Sequence, residues 1–260
     1  MSLRLCVLGS GSRGNSIYAA SGETAVLIDA GLSGKQTRLR LERIGVDISN
    51  IDAICVSHEH SDHIAGLRVL NKRFEIKLYA NSGTITAVSG DPKNSALEWN
   101  VFTTGSKFVI GDLEIEPFSI SHDAYEPVGY TVSADGIKVG IATDLGMITT
   151  LARERLRGCR ALVIEANHDT KLLRNSRRPW SLKQRIMGRN GHLSNESAAE
   201  AVIECADENL ARVYLAHLSD ECNRPDLAKK VVSGLLKRAG LGHIEVYSTY
   251  PDKESECWES

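Results

Sequence analysis

Short apolar runs, rich in Val, Ile and Leu and separated by turn residues, recur along the chain and predict β-strands. The predicted strands are residues 3–8, 24–28, 53–56, 77–80, 107–110, 113–120, 128–132, 138–142, 161–164, 213–216 and 244–247. Helical patterns cover residues 34–44, 62–74, 148–156, 195–207 and 225–239. Many strands interrupted by a few helices in mixed order predict an α/β protein, with packed sheets and helices outside them.

Two of the predicted helices carry end signals. Asn195 is expected to be the N-cap of its helix, because its short polar side chain can accept from a free backbone N–H. In the last helix Leu227, Val231 and Leu235 recur at helical spacing, and Gly240 closes it.

Several polar residues lie just past the C-terminal end of a predicted strand. Loops at strand ends are where α/β scaffolds place their chemistry. These residues are Asp29, His58, His122, Asp144, Asn167 and His217.

Composition narrows the class of protein. The chain has 260 residues, 42% hydrophobic and 25% charged, which is typical of a soluble globular protein, and we expect one domain over residues 1–260. The net charge of −2 favours no partner class, and no protein partner is identified. We expect reduced thiols in the cytoplasm and no membrane association, because the six cysteines form no CxxC and no signal peptide or membrane span is evident.

A glycine motif follows the first predicted strand. Gly9, Gly11 and Gly14 spell GxGxxG, and Asp29 lies 20 residues beyond Gly9, which imitates a dinucleotide-binding fingerprint. That fingerprint needs a helix before the next strand, whereas residues 15–19 favour β structure. A hairpin with sharply turning glycines is the better interpretation, and Ser10, Ser12 and Asn15 in its loop are candidate substrate contacts.

The stretch SHEHSDHIAG at 57–66 concentrates histidines directly after an apolar strand. His58 and His60 point the same way because side chains in an extended segment alternate with period two, so they can share one cation. Asp62 and His63 follow as the chain turns into a helix, and they face a neighbouring position. Imidazole and carboxylate ligands without thiolate suit Zn²⁺, Mn²⁺ or Fe, whereas a solvated His-rich loop is the alternative.

Further ligands must come from elsewhere in the chain. His122, Asp144 and His217 each end a predicted strand, as His58 does, and a carboxylate such as Asp144 can bridge two cations. His243 precedes the last strand, where a surface or core role is expected.

These motifs resemble the metallo-β-lactamase superfamily over nearly the whole chain. HxHxDH at 58–63 is followed in order by a later His, a later Asp and a final His. The resemblance implies a four-layer αββα sandwich with the metals at one edge. It implies a first metal on His58, His60 and His122, a second on Asp62, His63 and His217, a bridging Asp144, and an early Asp29 that supports the metal loop.

Three stretches of sequence indicate which branch of the superfamily the chain resembles. They are LGSGSRGNS at 8–16, VIEANHD at 163–169, and GHLSNESAA at 191–199 followed by LAHLS. Together they resemble the YycJ/WalJ group, which is related to ribonuclease Z and to PhnP-type phosphodiesterases and is associated with DNA exonuclease activity. In the phosphodiesterase relatives an extra histidine sits by the scissile phosphate, and His192 matches that position. We also predict that Asn167, His168, Ser194 and Asn195 bind substrate, although a structural turn at Asn167 and His168 is the alternative.

A basic segment separates Asp169 from Glu196, with no acidic residue between them. A charge run is usually a solvated face, but this one leads into His192, so we expect it to rim the site and follow a phosphate backbone. Trp180 lies within it and either stacks on a base or packs. The seven cations are Lys171, Arg174, Arg177, Arg178, Lys183, Arg185 and Arg189.

The sequence therefore predicts a metal-dependent phosphodiesterase, a DNA exonuclease, with two divalent transition-metal ions. Asp62 is expected to take or orient a proton of the nucleophile, and His192 to stabilise charge or donate to the leaving oxygen. The alternatives are a hydrolase of a small ester, lactone or thioester on the same fold, and an RNA-processing nuclease. DNA is favoured over RNA by the resemblance to the YycJ/WalJ group, and a ribonuclease Z role is disfavoured because no tRNA-gripping insertion is visible.

Overall fold

The computed structural model describes residues 2–260. Its strands form two seven-stranded sheets, each with parallel and antiparallel pairs. Sheet 1 contains, in chain order, β1 (Arg4–Gly9), β2 (Ser16–Ala20), β3 (Ala25–Ile28), β4 (Ala53–Cys55), β5 (Lys77–Ala80), β6 (Trp99–Val101) and β14 (Trp258–Glu259). Sheet 2 contains β7 (Phe108–Ile110), β8 (Leu113–Ser119), β9 (Val128–Ala134), β10 (Ile137–Ala142), β11 (Ala161–Glu165), β12 (Arg212–Ala216) and β13 (Glu245–Ser248).

The helices cover the outer faces of the two sheets. They are α1 (Gly34–Arg43), α2 (Ser61–Ile64), α3 (Leu67–Phe74), α4 (Ser82–Ser89), α5 (Thr150–Leu156), α6 (Thr170–Asn175), α7 (Trp180–Ile186), α8 (Asn195–Cys205) and α9 (Pro225–Arg238), with a short 3₁₀ helix at Ile48–Asn50. Within residues 2–260, no helix is long and apolar enough to cross a bilayer.

The two sheets have similar strand orders, each with one antiparallel part and one parallel part. Sheet 1 runs β14-β1-β2-β3-β4-β5-β6, antiparallel up to β3 and parallel from β3 to β6. Sheet 2 runs β13-β12-β11-β10-β9-β8-β7, parallel from β13 to β10 and antiparallel beyond. The C-terminal ends of β1, β3, β4, β8, β10, β11 and β12 consequently supply the loops of one site.

The period of two along each strand divides the core into layers. In β1, Leu5 and Val7 pack between the two sheets, whereas Cys6 and Leu8 face the helices outside sheet 1. A separate cluster lies between sheet 2 and helices α5, α8 and α9. This arrangement is the predicted four-layer αββα sandwich, and the prediction is confirmed.

Local predictions were wrong where the chain meets a tertiary neighbour. The predicted helix 62–74 is two helices, because the Gly66 N–H donates to the Ala30 carbonyl at 2.7 Å. A Cβ at residue 66 would lie 2.1 Å from the Leu32 oxygen. Ser194, rather than Asn195, is the N-cap of α8. The helices α4, α6 and α7 and the short edge strands β6 and β14 were not predicted.

Candidate metal centre

The histidine-rich stretch leaves β4 extended and turns into α2 at Ser61, as the sequence predicts. His58 Nε2 lies 3.1 Å from His60 Nδ1, and His60 Nδ1 lies 3.3 Å from His122 Nε2, which arrives from the end of β8. Nitrogen ligands of a tetrahedral ion with metal–nitrogen bonds of about 2.0–2.1 Å are about 3.3–3.4 Å apart. This trio therefore has the spacing of a metal site.

A second group of ligand atoms lies beside the first. Asp62 Oδ2 is 3.6 Å from His63 Nε2 and 3.3 Å from His217 Nε2, and His217 comes from the end of β12. The three residues were predicted to share a cation, and their ligand atoms converge.

Asp144 lies between the two groups. Its Oδ2 is 3.2 Å from His63 Nε2, and its Oδ1 is 3.9 Å from His122 Nε2 and 3.3 Å from His217 Nδ1. The side chain is buried, yet Oδ2 makes no hydrogen bond to any residue that the structure describes. A buried carboxylate oxygen without a hydrogen bond is costly unless a cation binds it. Together with the ligand spacing, this orphan oxygen fits divalent metal ions.

Backbone strain is concentrated at this edge of the sheets. Asp29, Asp144 and His217 are non-glycine residues with φ of 65°, 59° and 53°, and each follows a strand that ends at the site. Left-handed conformations of such residues persist where surrounding contacts fix them. At each of these three positions the left-handed residue ends the extended run of its strand, next to the other candidate ligands.

Asp29 supports the ligands of sheet 1, the role that the family resemblance implies. Its carboxylate accepts from Ser57 N at 2.7 Å, Ser57 Oγ at 2.8 Å and His63 Nδ1 at 2.7 Å. Because a carboxylate only accepts, the Nδ1 hydrogen of His63 points to Asp29 and leaves Nε2 for a metal. Burial, and then the neighbouring His63, lowers the pKa of His58 well below its usual value, which keeps its ring neutral and able to bind.

The glycine-rich loop after β1 is a hairpin that supports the centre. β1 and β2 pair antiparallel, and Gly11 and Gly14 adopt φ of 138° and 140°. Asn15 Nδ2 lies 3.1 Å from Asp62 Oδ2 and 3.1 Å from His63 Nε2. Ser10 Oγ accepts from His217 N at 2.7 Å. Both side chains are buried, so they fix ligands, whereas the substrate contact predicted for this loop is left to Ser12 at the cavity wall.

Glu165 is the functional residue that sequence reasoning missed. Its Oε1 accepts from His192 Nδ1 at 2.7 Å and from His217 Nδ1 at 2.9 Å, and its Oε2 accepts from Leu145 N at 2.9 Å. Glu165 is fully buried as the last residue of β11, whose other residues are all apolar. An acid that completes an apolar strand next to predicted ligands was the available signal.

Charge pairing sets the protonation of His192, His217 and Glu165. Burial opposes the charged form of His192, but Glu165 outweighs it and raises the His192 pKa. For His217, burial is outweighed by Asp144, Asp62 and Glu165, which raise the pKa well above its ordinary value, so a cation that binds His217 Nε2 must displace a proton. Burial favours protonated Glu165, yet His192 and His217 lower its pKa, so it stays a carboxylate.

The ligands open into a cavity of about 310 Å³. Asn167 lines it, and Asn167 Nδ2 donates to the His217 carbonyl at 2.9 Å. The other predicted substrate-binding residues are buried and lie outside the cavity lining. Ser194 caps α8, Asn195 pairs with Asn223 at 3.0 Å, and the His168 carbonyl accepts from Asn195 N. A substrate contact for His168, Ser194 or Asn195 stays a prediction.

The basic segment forms part of the same cavity wall. Arg178 and Arg185 line it, and each is paired with a carboxylate, Arg178 Nε with Glu221 and Arg185 Nε with Asp123, both at 2.7 Å. Lys183 does not rim the site. It is buried and donates to the carbonyls of Arg174 and Ser176, because α7 folds back on the C-terminal end of α6. Lys171, Arg174, Arg177 and Arg189 are exposed.

Comparison with known proteins places these residues in a family. Residues 24–218 match the Beta-lactamase superfamily domain. The chain is 38% identical over 255 residues to Exodeoxyribonuclease YycJ of Bacillus anthracis, covering 96% of this chain and 97% of that protein. It is 38% identical over 259 residues to Exodeoxyribonuclease WalJ of Streptococcus pneumoniae serotype 2, with coverages of 97% and 96%. The metallo-beta-lactamase fold protein YhfI from Bacillus subtilis superposes with a TM-score of 0.74 at 16% identity, covering 100% of this chain and 99% of that one.

Proposed function

Because the chain belongs to the metallo-β-lactamase superfamily, and within it to the group of YycJ and WalJ, we propose that it is a metal-dependent phosphodiesterase that degrades DNA from its ends. The observation that carries the proposal is a single cavity in which the ligand groups, His192 and two arginines meet. The two relatives named exodeoxyribonucleases match over nearly the full length of both chains.

The proposed centre holds two divalent cations, Zn²⁺ or Mn²⁺, with Fe as a further candidate. His58, His60 and His122 would bind one, Asp62, His63 and His217 the other, and Asp144 both. Cations held there would polarise phosphoryl oxygens and lower the pKa of water.

Two side chains of this chain move or hold protons in the proposed reaction. Burial favours the neutral acid at Asp62, but His217 and His63 lower its pKa, so it is a carboxylate that can accept a proton from the attacking water. His192 Nδ1 is committed to Glu165, which leaves the other ring nitrogen for the substrate. With its raised pKa, His192 can donate to a phosphoryl oxygen or to the leaving oxygen.

The arginines supply the argument for a polyanionic substrate. Arg178 and Arg185 present guanidinium groups to the cavity, and a phosphate can replace their carboxylate partners with bidentate hydrogen bonds. Trp180, whose surface is 59% exposed, lies on the same segment and offers a stacking face for a base. A DNA strand that ends in the cavity would contact the two arginines through its phosphates and Trp180 through a base.

The test is hydrolysis of end-labelled single- and double-stranded DNA and RNA by metal-stripped protein supplemented with Zn²⁺ or Mn²⁺. We expect DNA to shorten from an end. His192→Ala should keep its metals and lose about 10²-fold or more in rate, the scale of a lost acid–base group. His243→Ala is the matched control, because His243 is exposed before β13 and should leave the rate unchanged.

Three results would contradict this proposal. Hydrolysis of RNA alone would indicate an RNA-processing nuclease. Hydrolysis of a lactone or thioester without any phosphodiester would indicate a small-ester hydrolase. Loss of metal from His192→Ala would make His192 a ligand instead of an acid.

A further inference from the structure

A pair of cysteines lies at the edge of sheet 1, apart from the metal centre. Arg4 pairs with Glu259 and Leu5 with Trp258 in the antiparallel register of β1 and β14, and extending this register by one residue sets Cys257, just before β14, opposite Cys6. The Ser260 N–H donates to the Leu3 carbonyl. Because antiparallel pairs alternate between hydrogen-bonded and non-hydrogen-bonded, this register gives Cys6 and Cys257 the place of a non-hydrogen-bonded pair. Beyond them the register shifts by one residue, since the Ser255 N–H donates to the Val7 carbonyl. Cα atoms in such pairs are about 4.5 Å apart, within the range of about 4.4–6.8 Å that a disulfide spans.

A fixed cation lies against Cys257. Arg4 Nη2 is 3.5 Å from Cys257 Sγ and also donates to the Ile44 carbonyl at 2.7 Å. The guanidinium lies 5.9 Å from the Tyr18 ring centre, a cation–π distance. These contacts hold the positive charge beside the sulfur of Cys257, which is half-buried, whereas Cys6 is fully buried beneath it.

The charges around the pair favour a thiolate at Cys257. The adjacent Cys6 thiol, followed by Arg4, outweighs burial and the nearby Glu254 and lowers the pKa of Cys257 to about 6. The Cys6 thiol also has a second acceptor, the Ser255 carbonyl at 3.3 Å. The hydrogen bond to Cys257, with burial, raises the pKa of Cys6. Burial raises the pKa of the Cys159 and Cys205 thiols to about 12, so Cys257 differs from them in reactivity as well as in position.

We propose that Cys6 and Cys257 form a peroxide-modifiable thiol pair, in which Cys257 is the attacking thiolate and Cys6 the resolving thiol. The Cys257 sulfur attacks hydrogen peroxide, the O–O bond breaks, and hydroxide leaves, so sulfur is oxidised to a sulfenic acid while the peroxide is reduced. The Cys6 sulfur then attacks the Cys257 sulfur, the S–O bond breaks, and the oxygen leaves with the Cys6 proton as water. The resulting disulfide ties β14 to β1.

The first test measures the pH profile of iodoacetamide labelling on the full chain, with each cysteine followed by peptide mass spectrometry. Cys257 should label with a midpoint near pH 6, about two and a half pH units below the value of about 8.5 for a free cysteine. Arg4→Leu should move that midpoint upward, and Arg4→Lys, which keeps the charge, should move it less. A wild-type midpoint at or above pH 8 overturns the proposal, even if the Arg4 variants fail to fold.

The second test adds hydrogen peroxide to wild type, Cys6→Ser and Cys257→Ser. Wild type should lose the mass of two hydrogens and yield a linked Cys6–Cys257 peptide pair, which dithiothreitol reverses. Cys6→Ser should stop at a sulfenic acid that dimedone traps at residue 257, and Cys257→Ser should give neither product. Oxidation confined to other cysteines, or a disulfide that forms in Cys257→Ser at the wild-type rate, overturns the assignment.

Discussion

The two sheets contribute to the metal centre in different ways. Sheet 1 supplies four candidate ligands from one turn of six residues, His58 to His63, directly after β4. Sheet 2 supplies its residues one at a time from the ends of β8, β10, β11 and β12, with His192 from the loop before α8. The first half is specified locally by the chain, whereas the second exists only because four strands end at the same edge.

Despite that difference, a buried carboxylate organises each half. Asp29 accepts from His63 Nδ1 and from the Ser57 backbone, and Glu165 accepts from His217 Nδ1 and from the Leu145 backbone. Glu165 additionally binds His192. The ligand rings therefore need the same orienting support however they reach the site, and sheet 2 joins this support to the proposed acid.

Removing the residue shared by the two halves should have the largest effect. Wild type is expected to bind close to two metal ions per chain, His58→Ala about one, and Asp144→Ala less than one, because Asp144 lies between both ligand groups. Activity of Asp144→Ala should fall to background. Metal analysis by mass spectrometry checks this, with His243→Ala as the control. Equal metal content in all four proteins would refute the ligand assignment.

Exchanging each supporting carboxylate for an amide should distinguish the role of Asp29 from that of Glu165. Asp29→Asn and Glu165→Gln should each lower metal affinity or activity by about 10–100-fold, the usual effect of losing a hydrogen-bond partner of a metal ligand. Asp29→Asn should act mainly through weaker metal binding, which added metal restores. Glu165→Gln should keep a lower turnover at saturating metal, because it also positions His192. Titration of activity with metal measures both, and full recovery of Glu165→Gln would show that its role is limited to the metal.

The close packing of the local half gives a prediction about stability. A Cβ at Gly31 would lie 1.7 Å from the Asp62 carbonyl oxygen, so Gly31→Ala must displace the ligand turn. We expect the free energy of unfolding to fall by about 1–3 kcal/mol. Gly234→Ala in α9 has open space around it and should stabilise by about 0.5–1 kcal/mol. Chemical denaturation compares them, and an unchanged stability of Gly31→Ala would mean that the turn tolerates movement.

Substitutions in the basic segment should have the smallest effect on activity, and this effect should be confined to long substrates. Removing one arginine that binds a phosphate should reduce the slope of log K against log salt by about 0.7–0.9. Arg177→Ala with Arg178→Ala should therefore weaken DNA binding most at low salt, while hydrolysis of a small aryl phosphodiester changes little. Arg153→Ala in α5 with Arg157→Ala at its C-cap is the control. An equal loss on both substrates would assign the segment to the fold, and no loss on DNA would make it a solvated face.

Features that depend on local order could be predicted from the sequence. The period of two aligned His58 with His60, and apolar runs ending in His122, Asp144 and His217 marked these residues as strand ends. The resemblance then supplied the ligand sets and the layered fold. Such features can be predicted from the linear sequence because they depend only on residue spacing and on strand boundaries.

The side chains that serve those ligands could be identified only in the folded chain. Glu165 and Asn15 acquire their roles because β11 lies beside β12 and because the first hairpin lies against the α2 turn. Lys183 stands in a basic run yet is buried, since α7 folds onto α6. Hydrogen bonds and burial depend on neighbours distant in sequence, whereas composition and spacing record only what each residue can do, and not which partner will meet it.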